Sequence, residues 1–166
     1  MLSFDNKKKI KKKENLFNLK YNDKKIKQKM IFFDDTEYMG EWKNGRPDGK
    51  GIMNYLNGNK YIGEFKKGRP DGKGVMNYSN GNKYEGQWKK GVKKGKGIYY
   101  YFNGDIFDGN WKNGKPNGEG IFYNKNGNEF IGIWKTVNEN IICKGIIKNK
   151  NKETIFEGEF NINEKL

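Results

Sequence analysis

The 166 residues contain no histidine, so the commonest general base and the commonest metal ligand are both missing from the chain. A single cysteine, Cys143, gives no cluster for a metal and has no imidazole to activate it. A lone cysteine in a strand reads instead as a small buried apolar group. Asp34-Asp35 is an acid pair of the kind used in general acid–base work, but nothing in the pattern converges on it, and surface solvation is the plainer reading. The glycine series Gly68-x-x-x-Gly72-x-Gly74 has the outline of a phosphate-cradling loop. It lacks the Gly-Lys-Ser/Thr ending and the strand-to-helix setting that such a loop needs. No catalytic residue, no cofactor and no metal site is expected.

The abundant chemistry is cationic. The formal charge is +14, and residues 1–30 hold eleven Lys against Asp5, Glu14 and Asp23. Lys7, Lys8, Lys9, Lys11, Lys12 and Lys13 form a candidate basic arm for an anionic partner, nucleic acid included. A Lys/Asn-biased composition produces the same runs. A second set of cations recurs along the chain: Lys43 and Arg46; Lys66, Lys67 and Arg69; Lys89, Lys90, Lys93 and Lys94; Lys112 and Lys115. On strands about 4.8 Å apart, one cluster per two strands places them roughly 10 Å from each other. Such a comb could sit on acidic lipid headgroups, at about 1 kcal/mol per charge near an anionic membrane. It could equally be a solvated edge that blocks strand-on-strand association.

The spacing of these cations belongs to a 23-residue unit that recurs four times without a gap and then once more loosely. Tyr38, Tyr61, Tyr84, Phe107 and Phe130 head the copies; Gly40, Gly63, Gly86, Gly109 and Gly132 follow two residues later; Trp42, Phe65, Trp88, Trp111 and Trp134 follow two later again. A fixed period of this size marks an architecture in which each unit contacts its neighbours. The apolar fraction is 33% and the mean hydropathy −1.10, poor material for a globular core. Yet 15% of the residues are aromatic, against the sense of disorder. The expectation is a thin structure held by rows of rings.

Within a unit, Tyr61 to Lys66 alternates large and small residues as a strand does, Lys67 to Asp71 breaks it with Gly and Pro, Gly72 to Tyr78 is a second strand, and Ser79-Asn80-Gly81 closes a hairpin. Parity predicts a register. Phe65 faces Gly72, Gly63 faces Gly74 and Tyr61 faces Met76; across the next turn Met76 faces Tyr84, Gly74 faces Gly86 and Gly72 faces Trp88. Both pairings put rings and glycines on one face, and a one-residue slip would throw every ring to the other. The opposite face then carries Ile52, Val75, Ile98 and Ile121 beside Ile62 and Ile131, with Glu41 and Glu64. The predicted fold is all-β: an elongated single-layer antiparallel sheet of about ten strands, running about 50 Å.

At these residues the chain resembles the membrane occupation and recognition nexus (MORN) repeat, whose unit centres on Tyr-x-Gly-x-Trp, Gly-x-x-x-Gly-x-Gly and Tyr-x-x-Gly. Tyr38-Met-Gly-Glu-Trp42, Gly45-Arg-Pro-Asp-Gly-Lys-Gly51 and Tyr55-Leu-Asn-Gly58 carry the match, as do the copies at 61–83, 84–106 and 107–129. The organisation expected is a Lys-rich extension over 1–30, a repeat array over 31–135, and a degenerate last repeat with a cap over 136–166. Asn124 departs from the second-strand Tyr, and residues 138–143 lack the glycines, so that turn is rebuilt or longer. Residues 16–33 form a degenerate opening hairpin or a cap of another kind. The resemblance implies a non-enzymatic scaffold or adaptor that binds proteins in a larger cytoskeletal, ciliary or cortical assembly. A peripheral membrane module for acidic phospholipids and a basic subunit of a ribonucleoprotein are the alternatives. In enzymes of the family the repeats are appendages to lipid kinase or lysine methyltransferase domains, for which this chain has no room.

Two surfaces are candidates for binding. One is the cationic edge: Lys43, Arg46, Lys67, Arg69, Lys90, Lys93, Lys94, Lys112 and Lys115. The other is the aromatic face: Tyr38, Trp42, Tyr61, Phe65, Tyr84, Trp88, Phe107, Trp111, Phe130 and Trp134, either a groove for a partner's helix or strand or the sheet's own core. An intracellular, cytoplasmic setting is expected, since no apolar run approaches the roughly 20 residues needed to cross a bilayer, no signal-peptide core is present, and Leu2 stands where myristoylation needs glycine.

Overall fold

Strand alternation interrupted every dozen residues by turn chemistry offers the chain no helical period, and strands are what form. The computed structural model describes residues 26–137 and 140–161. Its strands are β1 (Ile26–Ile31), β2 (Glu37–Lys43), β3 (Arg46–Asn54), β4 (Lys60–Lys66), β5 (Arg69–Asn77), β6 (Lys83–Lys89), β7 (Val92–Tyr100), β8 (Ile106–Lys112), β9 (Lys115–Tyr123), β10 (Glu129–Val137), β11 (Asn140–Lys148) and β12 (Thr154–Asn161). Each pairs antiparallel with its chain neighbours, so the twelve make one open sheet in chain order. The count exceeds the expected ten because the degenerate ends also pair: β1 joins β2 ahead of the first full repeat, and Phe156 to Phe160 lie on β12. The basic arm (Lys7, Lys8, Lys9, Lys11, Lys12, Lys13) and the opening segment before residue 26 lie outside the described residues.

The register agrees with parity at Tyr61↔Met76, Gly63↔Gly74, Gly72↔Trp88, Gly74↔Gly86 and Met76↔Tyr84. It departs at one place: Phe65 faces Pro70, not Gly72. The cause is a two-residue turn at Lys67-Gly68, with φ of 49° and 82°, the type I′ geometry that matches strand twist. Strand β5 therefore resumes at Arg69, and the stretch read as a breaker is its beginning. A bulge absorbs the extra residues: between Gly63↔Gly74 and Phe65↔Pro70, Glu64 stands against Asp71, Gly72 and Lys73. Gly72 has φ 112°, and a Cβ there would lie 2.4 Å from a Glu64 carboxylate oxygen, so glycine is the residue that fits. The same shift recurs in β2/β3, β6/β7 and β8/β9. In the degenerate repeat it is absent: β10 and β11 pair without a shift from Glu129↔Lys148 to Val137↔Asn140.

One face holds the core. A Cβ on Gly51, Gly74 or Gly97 would stand within 2.3 Å of the hydroxyl of Tyr38, Tyr61 or Tyr84 respectively, so those rings lie directly on bare backbone. Each ring is wedged edge-on between its own repeat's Trp or Phe and the next one. Tyr61 meets Phe65 at 5.0 Å and Trp88 at 5.4 Å, Tyr84 meets Trp88 and Trp111 both at 5.1 Å, and Phe107 meets Trp111 at 5.4 Å and Trp134 at 5.1 Å. Edge-to-face pairs of this kind contribute about 0.5–1.5 kcal/mol each beyond area burial. Polar ends are satisfied along the ladder. The hydroxyls of Tyr38, Tyr61 and Tyr84 donate to the carbonyls of Glu41, Glu64 and Gln87 at 2.9, 3.1 and 3.1 Å. The indole N–H groups of Trp88, Trp111 and Trp134 donate to the carbonyls of Gly74, Gly97 and Gly120 at 3.2, 2.9 and 2.8 Å.

Candidate functional site

The ladder occupies the residues named as an aromatic docking face. Tyr38, Tyr61, Phe65, Tyr84, Trp88, Phe107, Trp111, Phe130 and Trp134 are all buried, and Trp42 is half-buried. Burial raises the tyrosines' pKa values, that of Tyr38 to about 12. As free anchors these rings offer little accessible surface; they are the core of a one-layer sheet. Cys143 is buried beneath the end of the same ladder, opposite Trp134, and burial pushes its thiol up to about 12.

The opposite face is where apolar surface remains in contact with water. One row of cross-strand partners runs Met39, Ile52, Ile62, Val75 over β2 to β5. Glu85 and Asp108 interrupt it on either side of Ile98, and Ile121, Ile131 and Ile146 resume it over β9 to β11. Met39, Ile62 and Ile133, which borders the second patch, are 53%, 41% and 54% exposed. Alternation made the aliphatic residues of this face legible from sequence; their alignment into two patches needed the register.

The two rims of the sheet are stitched loop to loop. At the three-residue turns, Asn59 accepts from the Ser79 N–H at 2.9 Å, Asn82 from the Phe102 N–H at 2.8 Å and Asp105 from the Lys125 N–H at 2.7 Å. Part of the asparagine content is thus structural rather than compositional. At the type I′ tips, Asp48 accepts from the Lys67 N–H and Asp71 from the Lys90 N–H, both at 3.2 Å, with the Lys89 ammonium 3.2 Å from Asp71. Asp71 is pulled two ways: partial burial raises its pKa, but the Lys90 N–H and Lys89 outweigh burial and leave it below the usual value.

Lys43, Arg46, Lys67, Arg69, Lys90, Lys94, Lys112 and Lys115 are exposed along this tip rim, where parity and spacing put them. Lys93 is different. It stands where Pro47, Pro70 and Pro116 stand in the other repeats, and its ammonium turns onto the aromatic face, 4.2 Å from the Trp111 ring centre and 4.5 Å from that of Tyr99. Burial lowers its pKa to about 8. Open clefts separate successive tips, one lined by Lys43, Asn44, Arg46, Asp48, Lys66 and Lys67, another by Lys89, Lys90, Val92, Lys93, Lys94 and Asn113.

Comparison with known proteins adds the family. No curated protein matches the chain. Among solved structures, the TCP domain of Drosophila melanogaster SAS-4 (dCPAP), in complex with a proline-rich motif of Ana2 (dSTIL), aligns at 11% identity and a TM-score of 0.33, covering 82% of this chain and 92% of that one. The MORN repeat model matches residues 38–60, 61–83, 84–106 and 107–129 in unbroken succession, more than half of the chain. With the same boundaries emerging from sequence period, strand register and family match, the chain belongs to the MORN repeat family.

Proposed function

We propose that the chain is a non-enzymatic scaffold or adaptor for proteins in a larger intracellular assembly, and that its docking strip is the solvent face rather than the ring face. The observation that carries this reading is the pair of aliphatic patches, Met39/Ile52/Ile62/Val75 and Ile121/Ile131/Ile146, on a face where Met39, Ile62 and the bordering Ile133 are exposed and the others half-buried, while the rings already serve as the sheet's core. Among the described residues no second layer covers that face. The formal charge of +14 favours an acidic occupant: an extended or helical protein segment with an apolar stripe and carboxylates beside it.

Affinity purification with the native chain, Ile62→Asp/Ile131→Asp and Lys67→Glu/Lys90→Glu tests the reading. A protein retained by the native chain and by the lysine variant, and lost from the isoleucine variant, supports it. Retention that depends on the lysines alone contradicts it. Co-sedimentation with acidic vesicles at about 0.15 M salt, abolished by the lysine variant, favours the membrane-surface reading of the cationic rim instead.

A further inference from the structure

The tips of the first three full hairpins share one turn geometry, and the third departs from the first two at Val92, Lys93 and Lys94, of which Lys94 bears on the link between tips. In the first two, a carboxylate (Asp48, then Asp71) reaches forward and accepts a hydrogen bond from the first N–H of the next type I′ turn, at Lys67 and Lys90. The next turn in the series, Asn113-Gly114, has the same geometry, with φ of 52° and 79°. Its first N–H belongs to Asn113, but the position of Asp48 and Asp71 is occupied by Lys94. The donor is kept and the acceptor is replaced by a cation.

The surroundings sharpen the contrast. The cleft at the first tip contains its own anion, Asp48, among Lys43, Arg46, Lys66 and Lys67. The cleft at the third tip is lined by Lys89, Lys90, Val92, Lys93, Lys94 and Asn113, with no acid among them. Lys89 is paired with Asp71, and the Lys93 ammonium is turned onto the Trp111 and Tyr99 rings. Lys90 and Lys94 remain, lining the same cleft as Asn113. The Asn113 N–H occupies the position from which Lys67 and Lys90 donate to a carboxylate, and its residue lines a basic cleft.

We infer that the cleft between the third and fourth hairpin tips binds a phosphate-type oxyanion, which takes the place of the absent carboxylate by accepting from the Asn113 N–H while Lys90 and Lys94 balance its charge. Two flanking ammonium groups favour a dianionic phosphomonoester over a single carboxylate. The bound anion restores the link between neighbouring tips that Asp48 and Asp71 make within the chain. The inference is independent of the docking strip on the solvent face.

The probe is inorganic phosphate, titrated at constant ionic strength against chloride while backbone amide resonances of the full chain are followed. The expected result is a saturable shift of the Asn113 amide that is lost in Lys94→Asp. That variant restores the plan of the two preceding tips, so it retains the fold, and its own carboxylate closes the site. Lys90→Ala weakens the response without supplying an internal anion. No shift at Asn113, or equal shifts at the Lys67 and Lys90 amides, overturns the inference, as does a response unchanged in Lys94→Asp. Vesicles of phosphatidylcholine with and without phosphatidic acid separate the sources of the phosphate. Retention on phosphatidic acid that Lys94→Asp abolishes, with the phosphate response present in the native chain, supports the site with a lipid headgroup as its ligand. Retention indifferent to Lys94→Asp, with the phosphate response intact, supports it with a soluble ester.

Discussion

Replacing Gly74 by alanine tests whether the rings rest on the glycine row. The new methyl would lie 2.2 Å from the Tyr61 hydroxyl and 2.4 and 2.7 Å from two ring carbons, where ordinary contact begins at 3.4 Å. The ring must retreat by about an ångström, and overpacking of that kind costs about 1–3 kcal/mol. Retreat also breaks the hydroxyl bond to the Glu64 carbonyl, worth about 1 kcal/mol, and loosens the edge contacts with Phe65 and Trp88. The expected loss is about 2–4 kcal/mol. Two controls bracket it. At Gly120 the ring above is Phe107, which has no hydroxyl, and its nearest atom would be 2.8 Å from the methyl; about 2 kcal/mol is expected. At Gly91 nothing lies within 4 Å and only the positive φ of 85° resists alanine, at about 1–2 kcal/mol. Urea denaturation followed by tryptophan fluorescence measures all three variants on a common slope. If Gly74→Ala is no more destabilising than Gly91→Ala, within about 0.5 kcal/mol, the rings do not lie on the backbone and the packing argument fails.

Other outcomes follow from the buried titrating groups. Below about pH 8 Lys93 is charged in both states; between there and its ordinary 10.5 the unfolded chain holds a proton that the folded chain has released, so this group by itself raises stability across that window. From about pH 10 the unfolded chain sheds tyrosine protons that Tyr38, Tyr61 and Tyr84 keep in the fold, so stability then falls. The unfolded Cys143 thiol also loses its proton from about pH 9 while the folded one keeps it, so denaturation midpoints should peak near pH 9, and Lys93→Met should remove the rising limb but not the falling one. At the acid end, the contribution of Asp71 is complete above its ordinary 3.8 and is lost as pH drops through the lower folded value, so Asp71→Asn should flatten the acid limb. Cys143, buried and with its thiol held at about 12, should resist thiol reagents at pH 8 until denaturant opens β11; fast labelling of the native chain would contradict its placement.

The array was legible because its signals are redundant. Rings, glycines and turns repeat at one period, and the Gly63↔Gly74 and Gly74↔Gly86 pairings follow from parity alone. The type I′ tips were not. Their first residue is Lys67 or Lys90 in two of the four, an unusual choice for a left-handed conformation, and the following Arg69-Pro70 resembles a chain break. The signal was present as Asn44-Gly45 and Asn113-Gly114, which hold the same positions in the other copies. The bulge, and with it the role of Gly72 beneath Glu64, depends on that turn and is hidden with it. The rim links were out of reach for another reason. Asn59 and Asp105 act on turns about twenty residues away, and composition hides them among other asparagines and aspartates. Which face is free depended on how completely the rings fill their own side, and spacing does not measure that.

Exchange of the tryptophan indole protons addresses the central claim, that the rings are the core and the other face is open for docking. Three indole N–H groups, those of Trp88, Trp111 and Trp134, are bonded to glycine carbonyls one repeat back and should exchange slowly with solvent in the native chain. Three indole signals exchanging at the rate of a free tryptophan would place the rings in water and contradict the account.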